Sequence, residues 1–294
     1  MPTITVTGAN GHLGRLVVQQ LLQKGVKPAD LRVSVRDVSR AADLRAQGID
    51  VHHGDFDDFA SIRDAFSGSD SVLIISTDKV GSRVEQHLRA VQAAKEAGVK
   101  HLAYTSLVKA IINQQTGEEA PLAVEHRATE KAIFESGIAY TILRNSFYAE
   151  FLIVPVVQAL ASGIYLSSIG DTPLGCAARI DYAEAAALVH TQTGHENQVY
   201  ELTTPKTWNV SDLVQVAREV SGKTLDYQKQ VSDTDLIDAL HASGTPESAV
   251  QMAVGMNQMI RSGMLSLVAP DLEQILGHPV TSLEEQVRAV LKPV

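Results

Sequence analysis

Apolar runs and amphipathic stretches alternate along the first half of the chain. TITVTG (3–8) is a β-rich run that ends in glycine. In HLGRLVVQQLLQKG (12–25), Leu13, Leu16, Val17 and Leu21 recur on one helical face, and Gly25 supplies a stop. LRVSVR (31–36) and IDVHHGD (49–55) read as strands, with a helix between them at SRAADLRAQG. SVLIIST (71–77) is apolar almost throughout, as strands covered on both faces of a parallel sheet are. KHLAYTS and AYTILRN (139–145) give a fifth and a sixth strand, and helical stretches join all of them.

This alternation predicts βαβ units with right-handed crossovers. The expected fold is α/β, a doubly wound parallel Rossmann sheet whose ligand crevice lies at the carboxyl ends of the strands. The rhythm breaks after residue 146. FYAEFLIVPVVQALASG predicts a helix interrupted by Pro155, DYAEAAALVHTQTG predicts another helix, and QVYELTT (198–204) predicts a strand able to join the sheet. The remainder reads as mainly helical. The expected division is a nucleotide-binding domain over 1–146, completed by about 181–204, and a smaller substrate-covering part over 147–294.

Length and charge narrow the class. At roughly 150 residues per domain, 294 residues allow one large domain or two smaller ones. A net charge of −9 argues against a nucleic-acid surface. The single cysteine, Cys176, rules out an intramolecular disulfide. Neither a secretory signal nor an apolar run of the ~18 residues that span a membrane is legible, so a cytoplasmic protein without membrane partners is expected.

TGANGHLG (7–14) lies between the first strand and the first helix. Gly8 permits the tight turn, Gly11 lets the backbone approach a pyrophosphate, and Gly14 lets the helix pack close to the sheet. The helix N-terminus then offers free N–H groups and partial positive charge. The whole loop (Thr7, Gly8, Ala9, Asn10, Gly11, His12, Leu13, Gly14) is expected at the cofactor. At the tip of strand two stands Arg36, with Arg40 one turn on, where an acidic residue would select NAD. A guanidinium suits a 2′-phosphate, so NADP(H) is the expected cofactor. Asp55 is placed for the adenine amino group and Phe56 for the ring beside it. Ser76 and Thr77 end strand four, where they would line the ribose. Adjacent strand residues face opposite ways, so His52 and His53 make no metal site.

TGANGHLG, SVRD, GDFDD, AYTS, EHRATEKAI and YTILRNSFY come in an order and spacing that resemble the NmrA-like proteins, a family of atypical short-chain dehydrogenases. The similarity is greatest to the bacterial branch of NADPH-dependent quinone oxidoreductases and triphenylmethane reductases, and it runs to LGHPVTSLEEQVRAVL near the end. It implies a Rossmann fold, NADP(H) and a pocket beside the nicotinamide. It also implies site residues. His126 occupies the place of a catalytic lysine in the related benzylic ether reductases and is a candidate proton donor near neutral pH. Ser106 ends strand five where typical relatives carry a catalytic serine, here expected at the cofactor together with Arg144 and Asn145. Asn145 and Tyr148 are further catalytic candidates. Phe147 and Tyr148 would stack on a flat acceptor. Met252, Met256, Met259 and Met264 would form either a pliable wall or plain core.

One departure from the short-chain dehydrogenases shapes the expected chemistry. None of the seven tyrosines has Lys four residues on, so the usual Tyr-x-x-x-Lys proton donor is absent. A neutral ketone needs such help; a quinone or triaryl cation is electrophilic enough to take a hydride with little of it. The expected activity is hydride transfer from NADPH to a small aromatic acceptor, by a monomer or homodimer. A non-catalytic NADP(H) sensor is the alternative, and a sugar epimerase suffers most from the missing tyrosine.

Overall fold

A computed structural model of the chain describes residues 3–79, 81–108, 117 and 119–292. The first half alternates as its apolar pattern predicts: β1 (Ile4–Thr7), α1 (His12–Gln23), β2 (Leu31–Val35), α2 (Ala42–Ala46), β3 (Asp50–His53), α3 (Phe59–Phe66), β4 (Ser71–Ile74), α4 (Arg83–Glu96), β5 (His101–Leu107), α5 (Pro121–Ser136) and β6 (Ala139–Asn145). The second half adds α6 (Glu150–Ala159), β7 (Ile164–Leu166), α7 (Arg179–Thr191), β8 (Gln198–Leu202), α8 (Val210–Ser221), β9 (Asp226–Gln228), α9 (Asp233–Ala242), α10 (Glu247–Arg261), α11 (Asp271–Leu276) and α12 (Leu283–Leu291).

Seven strands form one parallel sheet in the order β3-β2-β1-β4-β5-β6-β8. Its direction of growth reverses between β1 and β4, and at such a switch point a crevice opens beyond the strand ends. Both faces are covered. One core joins α1, α7 and α11 to the sheet through Val17, Leu21, Tyr182 and Leu272. The other face packs α3, α4 and α5 through Phe66, Ala90 and Ile133. The four residues of β1 are all buried, which is why that strand is apolar or small at every position.

A third core gathers α6, α8, α10 and α12 with Val108 and Ala123, which come from just after β5 and from α5. The two halves therefore share packing at the carboxyl end of the sheet. The chain crosses back as well. Leu272, Ile275 and Leu276 of α11 belong to the core around α1 and α7, although they lie far into the second half.

Several expectations shift. β4 stops at Ile74, so Ile75, Ser76 and Thr77 form a loop beyond it. Pro155 lies inside α6 without ending it. β7 and β9 pair in parallel, three residues each, too short for a period to stand out in the sequence. Among the described residues, no helix is long and apolar enough to cross a membrane.

Candidate active site

A cavity of about 510 Å³ opens past the ends of β1, β2 and β4. The glycine loop supplies Thr7, Gly8, Asn10 and Gly11 to its lining. Gly8 holds φ at +64°, in the left-handed region that favours glycine. A Cβ on Gly14 would lie 2.4 Å from the Gly8 carbonyl oxygen and 2.7 Å from Ala9 Cα. That contact lets the start of α1 sit against the turn. Gly11 caps α1 and has no side chain to occupy the first-turn N–H groups, which leaves them for a ligand's phosphates. The loop does not act as one surface. Ala9 and Leu13 turn their side chains into the core, so only their peptide groups remain for a ligand. His12 is exposed at the first turn of α1.

Arg36, Asp37 and Arg40 line the end of the cavity next to β2. Asp37 is committed: its carboxylate accepts from the Ser39 N–H at 2.9 Å and the Ser39 hydroxyl at 2.6 Å. These bonds hold its pKa below the ordinary value. The Arg36 side chain makes no hydrogen bond or ion pair with the described residues, and its carbonyl lies 3.1 Å from His53 Nδ1. A free cation at this tip fits a 2′-phosphate.

Asp55, Phe56, Ser76 and Thr77 also reach the cavity. The Asp55 carboxylate accepts from the Asp57 N–H at 3.0 Å. Phe56 packs its edge on His87, with ring centroids 6.1 Å apart. Lys79 pairs with Asp57 at 2.9 Å. Ser34, from inside β2, lines the cavity too, with Gly54 against it: a Cβ there would fall 2.0 Å from Ser34 Oγ. The hydroxyls of Ser34 and Thr77 are buried and have no hydrogen-bond partner among the described residues. Buried polar atoms ordinarily find one. Two orphaned hydroxyls, a free guanidinium and uncapped N–H groups around one crevice fit a dinucleotide carrying a 2′-phosphate.

Ser106 and Arg144 are placed differently from expectation. They face each other across the β5–β6 register, with Glu201 of β8 next in the row. Ser106 donates to Glu130 Oε1 at 2.6 Å. Arg144 donates twice to the same carboxylate, at 2.9 and 2.7 Å, and to Glu201 at 2.8 Å. Their side chains are held by a buried carboxylate of α5 and do not line the cavity. These pairings raise the Arg144 pKa still further.

His126 is buried rather than a surface side chain. Its Nδ1 lies 2.7 Å from the Tyr104 hydroxyl, and burial pushes its pKa down to about 3. It is neutral at pH 7, so it is no proton donor that titrates near neutrality.

Asn145 ends β6, its Oδ1 buried without a partner among the described residues. Tyr148 follows and forms an isolated bridge with Ala177. The Arg179 guanidinium stands 4.6 Å above the Tyr148 ring, and Phe151 stacks beside it with centroids 6.1 Å apart. Burial raises the Tyr148 phenol pKa, an effect that Arg179 and the Asn145 amide partly offset. Phe147 packs on the third core, and its carbonyl accepts from the Tyr182 hydroxyl. Met256, Met259 and Met264 pack on the same core, Met252 is exposed, and none of the four lines the cavity.

Sequence reasoning missed Ser34 and Arg179. A hydroxyl one residue from the end of an apolar strand was a usable signal for the first. Arg179 carried none, because it meets Tyr148 only through the bridge at Ala177.

The fold and the cavity define a dinucleotide-binding Rossmann protein. The chain belongs to the NmrA-like family, whose sequence pattern matches residues 1–266. It is 38% identical over 286 residues to quinone oxidoreductase 2 of Escherichia coli, covering 97% of each chain. It superposes on the Citrobacter triphenylmethane reductase complexed with NADP(H) with a TM-score of 0.90 and 36% identity, over 98% of this chain and 100% of that one. For the Escherichia coli NADPH-dependent quinone oxidoreductase complexed with NADPH, the TM-score is 0.87 and the identity 37%, again over 98% and 100%.

Proposed function

We propose that this protein is an NADPH-dependent oxidoreductase that passes a hydride to a quinone or a similarly electrophilic aromatic. The observation that carries the reading is the uncommitted Arg36 guanidinium at a cavity where the buried Ser34 and Thr77 hydroxyls also lack a partner among the described residues. Two relatives support it: a quinone oxidoreductase named as NADPH-dependent, and a triphenylmethane reductase complexed with NADP(H).

In this reading Thr7, Gly8, Asn10 and Gly11 hold the pyrophosphate against the start of α1. Arg36, with Arg40 beside it, takes the 2′-phosphate. Ser34, Asp55, Phe56, Ser76 and Thr77 line the adenosine and ribose. Bound NADPH supplies the hydride from C4 of its nicotinamide. Asn145, Phe147 and Tyr148 lie at the carboxyl end of β6, where a flat acceptor would lie against the aromatic rings. Such an acceptor does not need a tyrosine-lysine pair, because the developing oxyanion of a hydroquinone is stable enough to take its proton from water. The same reading has the protein act in the cytoplasm as a monomer or homodimer.

Steady-state assays with NADPH and a panel of quinones and dyes test this. Saturable, enzyme-dependent NADPH oxidation is expected. No oxidation above background at micromolar enzyme contradicts it.

A further inference from the structure

The glycine loop and the tip of β2 belong to different elements, and one guanidinium joins them. Arg15 lies in the first turn of α1, where its peptide N–H donates to the Gly11 carbonyl at 3.0 Å. Its backbone is therefore tied to the loop. Its side chain crosses to the segment after β2. Nη1 donates to the Asp43 carboxylate at 2.5 Å, and Nη2 donates to the Arg40 carbonyl at 2.6 Å. Nη2 also reaches Asn10 Oδ1 at 3.4 Å, and Asn10 Nδ2 donates to the Asp37 carbonyl at 2.8 Å. The Asn10 amide can sit only this way round, because a guanidinium has no acceptor and a carbonyl has no proton.

The tip is held by its backbone and left open at its charges. His53 of β3 holds the Arg36 carbonyl at 3.1 Å, Asn10 holds that of Asp37, and Arg15 holds that of Arg40. Two of these anchors come from the glycine loop and the helix that it starts. Arg36 and Arg40 both line the cavity, and neither guanidinium makes a hydrogen bond or ion pair with the described residues. Arg15 is not part of the cavity lining, and Asp43 balances its charge. Its route to a bound anion is therefore the placement of the tip.

We propose that Arg15 is a positioning residue for cofactor selectivity: with Asn10 it fixes the spacing between the glycine loop and the Arg36–Arg40 pair. This rests on the NADP(H) part of the reading above and needs no acceptor. A dinucleotide spans both places, its pyrophosphate at the loop and its 2′-phosphate at the tip. A pair of cations already held at that spacing binds the phosphate without first having to be ordered. A cofactor that lacks the 2′-phosphate leaves the pair untouched and draws nothing from its placement.

The test is fluorescence titration with NADPH and NADH, together with amide hydrogen exchange of the cofactor-free protein. Arg15 and Asp43 are both solvent-accessible, so neither substitution below leaves a buried charge. Arg15→Ala should weaken NADPH about fivefold, leave NADH within about twofold, and speed exchange of the amides of residues 37–43. Equal losses for the two cofactors, an unchanged NADPH affinity or unchanged exchange overturns the proposal. Asp43→Ala separates placement from charge. It removes a negative charge near an anion site, so charge alone would tighten NADPH, whereas a lost anchor should weaken it about threefold. Tighter or unchanged binding overturns the proposal. In a protein that already carries Arg36→Ala and Arg40→Ala, adding Arg15→Ala should change NADPH affinity by less than about twofold. The full fivefold loss there overturns it. A wild type that binds NADPH no better than NADH fails the cofactor reading itself. A wild type that prefers NADPH, with an Arg15→Ala protein that prefers it equally, fails the proposal alone.

Discussion

Arg36 and Asp37 stand side by side at the end of β2, and among the described residues only the Asp37 side chain has a partner. Ser39 takes the aspartate, while the arginine lines the cavity uncommitted. The residue type that would favour NAD is thus occupied elsewhere, and the one that suits NADP is free. Arg36→Ala should therefore weaken NADPH by about 1.5–3 kcal/mol, the worth of a charge-assisted phosphate bond, and leave NADH nearly unchanged. Fluorescence titration with both cofactors checks this. Equal losses would mean that Arg36 does not read the 2′-phosphate.

Gly14 is a packing glycine. Its would-be Cβ meets backbone atoms of Gly8 and Ala9, which cannot rotate away. Gly14→Ala should cost about 1–3 kcal/mol of stability and weaken NADPH as the loop shifts. Urea unfolding with a parallel cofactor titration separates the two effects. An unaltered midpoint would show that the helix can move without cost.

Arg144 is predicted to hold structure rather than cofactor. It and Glu130 form a buried, doubly hydrogen-bonded pair. Arg144→Leu leaves the Glu130 charge buried with only Ser106, at a cost of about 3–5 kcal/mol. The folded fraction should still bind NADPH with wild-type affinity. Normal stability together with lost binding would return Arg144 to the cofactor site.

Acid should destabilise the protein through its buried histidines. Burial pushes His87, His126 and His190 from 6.5 down to about 3. Between those values the unfolded chain binds protons that the folded chain does not. Stability is then fully present above pH 6.5 and falls as pH drops toward 3, by up to about 1.4 kcal/mol per pH unit for each ring. Denaturant unfolding at pH 7, 6 and 5 measures the slope, and His190→Gln should make it shallower. A stability that does not change over this range would contradict the burial argument.

What was legible in the sequence was local. The strands of the main sheet and the turn at Gly8 follow from periods and residue types within a few positions of each other. The fate of Ser106 and Arg144 was not legible, because it depends on the register that sets β5 against β6 and on Glu130 arriving from α5. His126 read as a candidate proton donor near neutral pH, with nothing local to mark it as buried. Its burial becomes visible only when Tyr104 and His87 are brought to it from other elements. Pro155 misled because a proline in a helix interior usually ends or kinks it, yet α6 packs on the third core and continues through that position.

Hydride transfer from NADPH to an aromatic acceptor is tested most directly in a single turnover. Protein loaded with NADPH deuterated on one or the other face of C4 is mixed rapidly with a quinone. The prediction is prompt loss of the reduced-nicotinamide absorbance, slowed by deuterium on one face and not on the other. Tight NADPH binding with no turnover of any acceptor would contradict the account.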